Sequence, residues 1–404
     1  MLIGTNLTYT KAYNYRIVFE TIRLFGPISR AAVARRSNLT AQTVSNIVKR
    51  LLDTELIREG DKQQEGRGAP SMTLKVNAAG AYSIGLDFNR DHLTGVLVDL
   101  TGNVKHRIYY ELTSPTPDES IKLMTSTIQQ LKTDQNLDEE KLRGIGISFP
   151  GPMNISKNNN VSNTVNPKEF PNWENIPVVA LLSEHTNVPV YLENNASAAA
   201  VGERWYGAGR QVSSFMYVFF GAGLGSGIFM NGRLCDGHTG NAGEIGYLPL
   251  SDKKSLLSTS STPYVGEHFH LTRLYEWLNK SGADVSQPGD LLDLYQGKNP
   301  EFMEWTDQAK EILVPVFLSI EYLIDPEVIF LGGRLPMEII EDFTTDLTER
   351  LKNERINEKS TYPILKCATA GSDAAALGAA TLPMFDLFAP QAQVLIKRNG
   401  KVGN

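Results

Sequence analysis

Six polar side chains, Gln42, Thr43, Ser45, Asn46, Lys49 and Arg50, fall on the outer side of a helix if the stretch after Thr40 is helical. Gln and Asn each offer an acceptor and a donor to an adenine edge, Thr and Ser reach bases or phosphate, and Lys and Arg neutralise phosphates. That combination can read a DNA duplex. Arg67, flanked by glycines in EGRGAP, can enter a minor groove where small neighbours permit close approach; the same stretch can instead be a flexible Gly-rich linker. Further on, GAGLGSG at 221–227 is read first as a structural hairpin, because glycine-rich hairpins are common. Cys235 and Cys367 stand 132 positions apart without CxxC spacing, which makes neither a zinc site nor a disulfide framework. His238, His268 and His270 lack a fixed ligand pattern and read as surface or core residues.

The elements needed to position the polar row are legible. Tyr15, Val18, Ile22 and Phe25 recur at helical spacing, and Gly26-Pro27 stops that helix. Ser29 can cap a second helix running through Arg36, and Thr40 a third, with Val44, Ile47, Val48, Leu51 and Leu52 in one apolar stripe. Only Ser37, Asn38 and Leu39 separate them, as in a helix-turn-helix. LIREG and SMTLKV then read as two strands around DKQQEGRGAP, the hairpin of a winged helix-turn-helix. From Tyr82 onward three strands in series precede a helix over 117–132 and a further strand, and a second such round follows from FMYVFF. Two similar rounds predict a duplicated α/β body with a cleft between its halves, Gly-rich turns standing where strands end.

The chain has 404 residues, 41% hydrophobic and 21% charged, a globular composition with room for two to three domains. Its net charge of −6 is uneven: residues 1–76 hold 12 Lys/Arg against 6 Asp/Glu, while the remainder holds 27 against 39. A basic head on an acidic body favours nucleic acid at the head. The opening residues lack a signal-peptide pattern, and the uncharged stretch 211–232 contains five glycines, which argues against a membrane helix. A cytoplasmic location and no membrane partner are expected.

Five motifs occur in order: PGPMN at 150–154, ENNASAAAVGE at 193–203, GAGLGSG at 221–227, GNAGEIGY at 240–247 and IFLGG at 329–333. Together they resemble the ROK family (repressors, open reading frames and sugar kinases), and with the N-terminal module the resemblance covers nearly the whole chain. It implies a two-lobed, actin-like sugar kinase body, ribonuclease H-like and duplicated, behind the winged helix-turn-helix. The expected domains are 1–76 for the head and its wing or linker, 77–195 for the first lobe, and 196–404 for the second lobe with a dimerisation surface.

The departures from the family pattern carry the functional reading. In the family's kinases the ENNAS segment reads ENDAN, and its catalytic aspartate is matched here by Asn195. A carboxamide is no base near neutral pH, although it can still hold a hydroxyl. The kinases' DxGGT phosphate turn is replaced by Asp87-Phe88-Asn89-Arg90, whose side chains obstruct close backbone approach to a phosphate. Tyr247 takes the position of a zinc-binding histidine, and the segment matching the family's zinc cysteines holds none, so no metal is expected. By resemblance, Glu244, Glu267 and Asn194 contact sugar hydroxyls, Asn166 and Trp173 edge the cleft, and Tyr247 stacks on a sugar or fills the vacated zinc volume.

The resulting expectation is a non-enzymatic repressor of carbohydrate metabolism that requires no cofactor. It binds double-stranded operator DNA as a homodimer or a dimer of dimers and senses a sugar effector. An active ATP-dependent sugar kinase, and a repressor governed by a protein partner, are the alternatives.

Overall fold

The computed structural model describes residues 6–63, 70–154, 164–165, 167, 170, 172–221, 223–250, 255–258, 262–356 and 359–390. In the head, α1 (Leu7–Phe25) starts where the Asn6 side chain accepts the backbone N–H groups of Thr8 and Tyr9. It is followed by β1 (Ile28–Ser29), α2 (Arg30–Ser37), α3 (Ala41–Asp53), β2 (Ile57–Gln63) and β3 (Ser71–Val76). Ser29 accepts from the Ala32 N–H and Thr40 from the Thr43 N–H, so both expected caps are formed. Asn38 adopts a left-handed conformation at φ 55° and turns the chain sharply from α2 toward α3. Val18, Phe19, Ile22, Val33, Val44, Val48, Leu51 and Leu74 close the head's core. Phe25 is an exception to the expected stripe: it is exposed, and the Arg36 guanidinium lies 4.1 Å from its ring centroid.

The body repeats one topology. Its first round comprises β4 (Tyr82–Phe88), β5 (His92–Asp99), β6 (Val104–Glu111), α4 (Pro117–Asp134), β7 (Leu142–Phe149), β8 (Met153–Asn154), β9 (Thr164–Val165), α5 (Val178–Ser183), β10 (Val190–Asn194) and α6 (Asn195–Tyr206). The second comprises β11 (Phe215–Phe220), β12 (Leu224–Met230), β13 (Arg233–Leu234), α7 (Val265–His268), α8 (Leu271–Lys280), α9 (Asp290–Gln296), α10 (Pro300–Leu323), β14 (Val328–Gly333), α11 (Met337–Glu354), β15 (Ile364–Cys367) and α12 (Ala374–Phe388). The sheets run β6-β5-β4-β7-β10 and β13-β12-β11-β14-β15. In each, the first strand pairs antiparallel with the second and parallel with the fourth. This is the duplicated α/β architecture expected of an actin-like sugar kinase fold.

The closing helix of each round crosses to the other lobe. Ala196, Ala199 and Ala200 of α6 share a core with Phe215, Tyr217 and Phe219 of the second sheet. Ala376 and Ala380 of α12 pack on Val96 and Val98 of the first sheet, and Ser83 Oγ donates to the Ala380 carbonyl at 2.5 Å. The two helices meet backbone to backbone, because a Cβ on Gly378 would stand 1.6 Å from the Ala198 carbonyl oxygen. Among the described residues no helix is long and apolar enough to cross a membrane.

Candidate functional site

The end of β10 and the start of α6 carry Asn194 and Asn195 into the interlobe cleft. Asn194 caps α6, its Oδ1 accepting the Ala196 N–H at 2.9 Å, and Asn195 Oδ1 accepts the same N–H at 2.8 Å. With both oxygens so occupied, each amide has its NH₂ group as the remaining donor. Glu244, in the loop after β13, supplies the complementary acceptor. Its Oε1 is buried and has no hydrogen-bond partner among the described residues, and burial raises its pKa above the ordinary carboxyl value. Gly151 lets these groups approach: a Cβ there would stand 2.6 Å from Glu244 Oε1 and 2.8 Å from Asn194 Nδ2.

Asn194, Asn195, Glu244 and Tyr247 thus line one cavity of about 130 Å³, with Tyr247 tilted against Tyr264 at a centroid distance of 5.5 Å. Two NH₂ donors beside an acceptor with an open lone pair suit a polyol, whose hydroxyls both donate and accept. Glu267 belongs to a layer behind this wall. Its buried carboxylate accepts from Ser258 Oγ at 2.5 Å and lies 3.9 Å from the Arg273 guanidinium, while the adjacent Gly266 faces the cavity. Asn166 lies outside the described residues. Trp173 does not edge the cleft as expected: it is buried against Phe149 at 4.9 Å and its Nε1 donates to the Pro115 carbonyl at 3.1 Å. Phe170 takes its place in the cavity wall.

Sequence reasoning also missed Gly151, Tyr264 and His270, which line the cavity. His270 had been placed with the surface or core histidines; it caps α8 through Nδ1, accepting the Arg273 N–H at 3.4 Å. Its neighbour His268 is a core residue, stacked on Trp305 at 5.6 Å, bonded to Ser255 and to the Trp305 carbonyl, and pushed down to about 4 by burial. His238 is exposed. Among the described residues no group of three His, Cys, Asp or Glu side chains is arranged to hold a metal ion.

In the same sheet as β10, two strands along, side chains occupy the turn after β4. Asp87 accepts from Ser148 Oγ at 2.5 Å and faces His92 Nε2 at 3.2 Å; Phe88 and Asn89 are buried. Asp91 bonds His92 Nδ1 at 2.7 Å and Arg334 at 2.5 Å. Burial opposes charge on Asp91, yet these two partners hold its carboxyl well below the ordinary range. Arg107 grips Asp373 through two hydrogen bonds, at 2.6 and 2.9 Å. These two ion pairs join the first lobe to the second around a cavity of about 480 Å³.

In the head, Gln42, Ser45, Asn46, Lys49 and Arg50 are exposed on α3, and Thr43 is half-buried. Gln42 Nε2 donates to Asn46 Oδ1 at 3.1 Å, which pre-orients both amides one turn apart. Arg50 leans back toward α1, 5.2 Å from the Tyr15 ring centroid. Arg67 lies outside the described residues. Exposed Arg35 and Arg36 on α2, and Arg58 and Lys62 on β2, extend the basic surface beyond the residues chosen from sequence.

Residues 83–384 match the family described as the ROK family. The xylose repressor of Bacillus spizizenii is 32% identical over 243 residues, 60% of this chain and 62% of that protein, so the match spans under two thirds of this relative. Among solved structures, a ROK family transcriptional regulator described as a homologue of the E. coli MLC protein is 20% identical. It aligns with a TM-score of 0.76, covering 96% of this chain and 99% of its own. A ROK family glucokinase from Streptomyces griseus, in complex with glucose and AMPPNP, aligns at 0.63 with 20% identity over 75% of this chain and 99% of its own. Both share the fold of this body. With three quarters of its length matched, the chain belongs to the ROK family.

Proposed function

We propose that the chain is a cytoplasmic transcriptional repressor of carbohydrate metabolism, with a head that binds a DNA operator and a kinase-like body that binds a sugar without phosphorylating it. One observation carries this reading: the Glu244 carboxylate oxygen, without a hydrogen-bond partner among the described residues, shares a cavity wall with two carboxamides; by the sequence resemblance, one of these, Asn195, takes the position of the kinases' base. Losing a general base costs roughly 10²- to 10⁴-fold in rate, whereas hydroxyl binding survives the change. The similarity to a xylose repressor makes D-xylose the first sugar to test.

The head reads the major groove with Gln42, Thr43, Ser45 and Asn46 and holds phosphates with Lys49 and Arg50, Arg67 reaching a minor groove. Twofold symmetry of a homodimer, or of a dimer of dimers, implies a palindromic operator with half-sites about one or two helical turns apart. Sugar binding regulates DNA affinity only through a difference between conformations, with coupling of about 1–3 kcal/mol.

The test is a calorimetric panel of D-xylose, D-glucose and N-acetyl-D-glucosamine against the wild type and Glu244→Ala, run beside a coupled ATP assay. Binding by the wild type and loss of heat in the variant are expected. Phosphorylation of any panel sugar above about 1 per second, the lower end of typical enzymes, refutes the reading.

A further inference from the structure

The helix that begins at the candidate sugar cleft ends against the DNA-binding head. Asn194 and Asn195 open α6, and Trp205, near its last turn, lies under Arg23 of α1. The Arg23 guanidinium is 4.1 Å from the Trp205 ring centroid, donates to the Trp205 carbonyl at 3.4 Å, and is fixed from behind by Glu20 at 2.7 Å. At 1.5 Å per residue, the helix carries the cleft's geometry roughly 18 Å to the head.

The helix cannot absorb a displacement along the way. Residues 196–203 are all buried, and most are alanine, serine or glycine. Glu203 accepts backbone N–H groups from Ala208, Thr369 and Ala370. The backbone contact at Gly378 ties α6 to α12, so the two helices shift together. The far end of α12 also grips α1: Arg16 donates to the Asp386 and Ala389 carbonyls at 2.6 and 3.0 Å, and Phe388 packs on Phe19 at 4.7 Å. Arg16, Phe19 and Arg23 recur at helical spacing and form one face of α1. A continuous apolar cluster runs from Val18, Phe19 and Ile22 of the head to Ala196 and Ala199 beside the cleft.

We propose that the paired α6 and α12 form the mechanical link by which the cleft sets the position of the DNA-binding head, with Arg23 as the positioning residue that couples them. This rests on the sugar-responsive reading above. Contacts made by a sugar at Asn194 and Asn195 act on the first turn of α6, and the rigid pair transmits that shift to α1, which packs beneath the recognition helix.

The test uses the full chain, the panel sugar that binds best by calorimetry, and a DNA duplex recovered by selection from a random-sequence pool. The wild type changes its duplex affinity at least fivefold on sugar saturation. Arg23→Met reduces that change below twofold, while its sugar Kd and its sugar-free duplex Kd both stay within about threefold of the wild type. Trp205→Phe, which keeps an aromatic in the core, gives a partial loss. A merely structural role for Arg23 would instead move the two separate affinities together. Full sugar response in both variants overturns the link and leaves the proposed function standing. Absence of any response in the wild type overturns the proposed function, and the link with it.

Discussion

Replacing Glu244 with Gln keeps the shape of the side chain and removes a charge that burial disfavours. Burial alone raises the folded-state pKa of Glu244 above its ordinary 4.5. The contribution of such a group to stability is complete below the unfolded pKa and is lost as pH rises through the folded value. The sugar-free protein is thus weakened, near neutral pH, by a carboxylate whose Oε1 has no donor among the described residues. A sugar hydroxyl supplies that donor and favours the ionised form. Binding therefore releases a proton in the window between the lowered pKa of the complex and the raised pKa of the free protein. Across that window, wild-type affinity falls by up to tenfold for each unit of acidification. A hydrogen bond to a charged group contributes about 1.5–3 kcal/mol and a neutral one about 0.5–1.5. Glu244→Gln consequently costs about 1 kcal/mol, roughly a fivefold rise in Kd at pH 7, and flattens the pH profile. Titration calorimetry from pH 7 to pH 5, in pairs of buffers with different protonation heats, measures both effects. Wild-type affinity that is flat or rises on acidification, or an equal pH slope in the Gln variant, refutes this assignment of Glu244.

Gly151→Ala places a methyl group against both Glu244 and Asn194, and we expect at least a tenfold loss of sugar affinity by calorimetry with duplex binding retained. On the proposed reading of Asn46 as a base contact, Asn46→Ala should cost about 1–3 kcal/mol on the selected duplex with relaxed specificity at one position, read by competition binding. Lys49→Ala should instead weaken binding to all duplexes alike and reduce the slope of log K against log salt by about 0.9, one phosphate's worth. Asn195→Asp places a carboxylate where the proposed reading puts the kinases' base, yet the side chains after β4 remain. Its turnover in a coupled ATP assay should stay below about 1 per second.

The local features announced themselves because their causes are local. Ser29 and Thr40 cap their helices as their position before an apolar stripe requires, and alternating apolar runs gave the body strands close to their observed ends. The start of α1 at Leu7 was not anticipated, since its first two turns carry no apolar stripe and depend on the Asn6 cap. The two-residue β1 is too short for any period to reveal, and only its pairing with β3 defines it. In the cleft, motif order pointed to Asn194, Asn195 and Glu244, which come together in space. It did not separate Phe170 from Trp173: both are aromatic and three residues apart, and which one meets the cavity depends on packing against Phe88 and Phe149. The exchange of α6 and α12 between lobes was equally hidden, because alanine-rich helices buried all round report burial without naming their partner.

The two interlobe ion pairs suggest how a kinase scaffold becomes a switch. In a kinase, the free energy of lobe closure is spent on bringing phosphate and hydroxyl into line. Here Asp91 with Arg334, and Arg107 with Asp373, already join the lobes on the side opposite the carboxamides. On the proposed reading, the sugar then meets a hinge held at one edge, and the differential contacts at Asn194, Asn195 and Glu244 can move only what remains free to move. The helix starting at those asparagines is the element they act on directly, and its other end already grips α1 of the head. If, as proposed, the fold does not align a phosphoryl donor, the same binding energy is available for the placement of α3. Breaking the latch with Arg334→Met should release the edge, so that sugar affinity persists while the sugar-induced change in duplex affinity falls. A response of undiminished size in that variant would assign the hinge elsewhere.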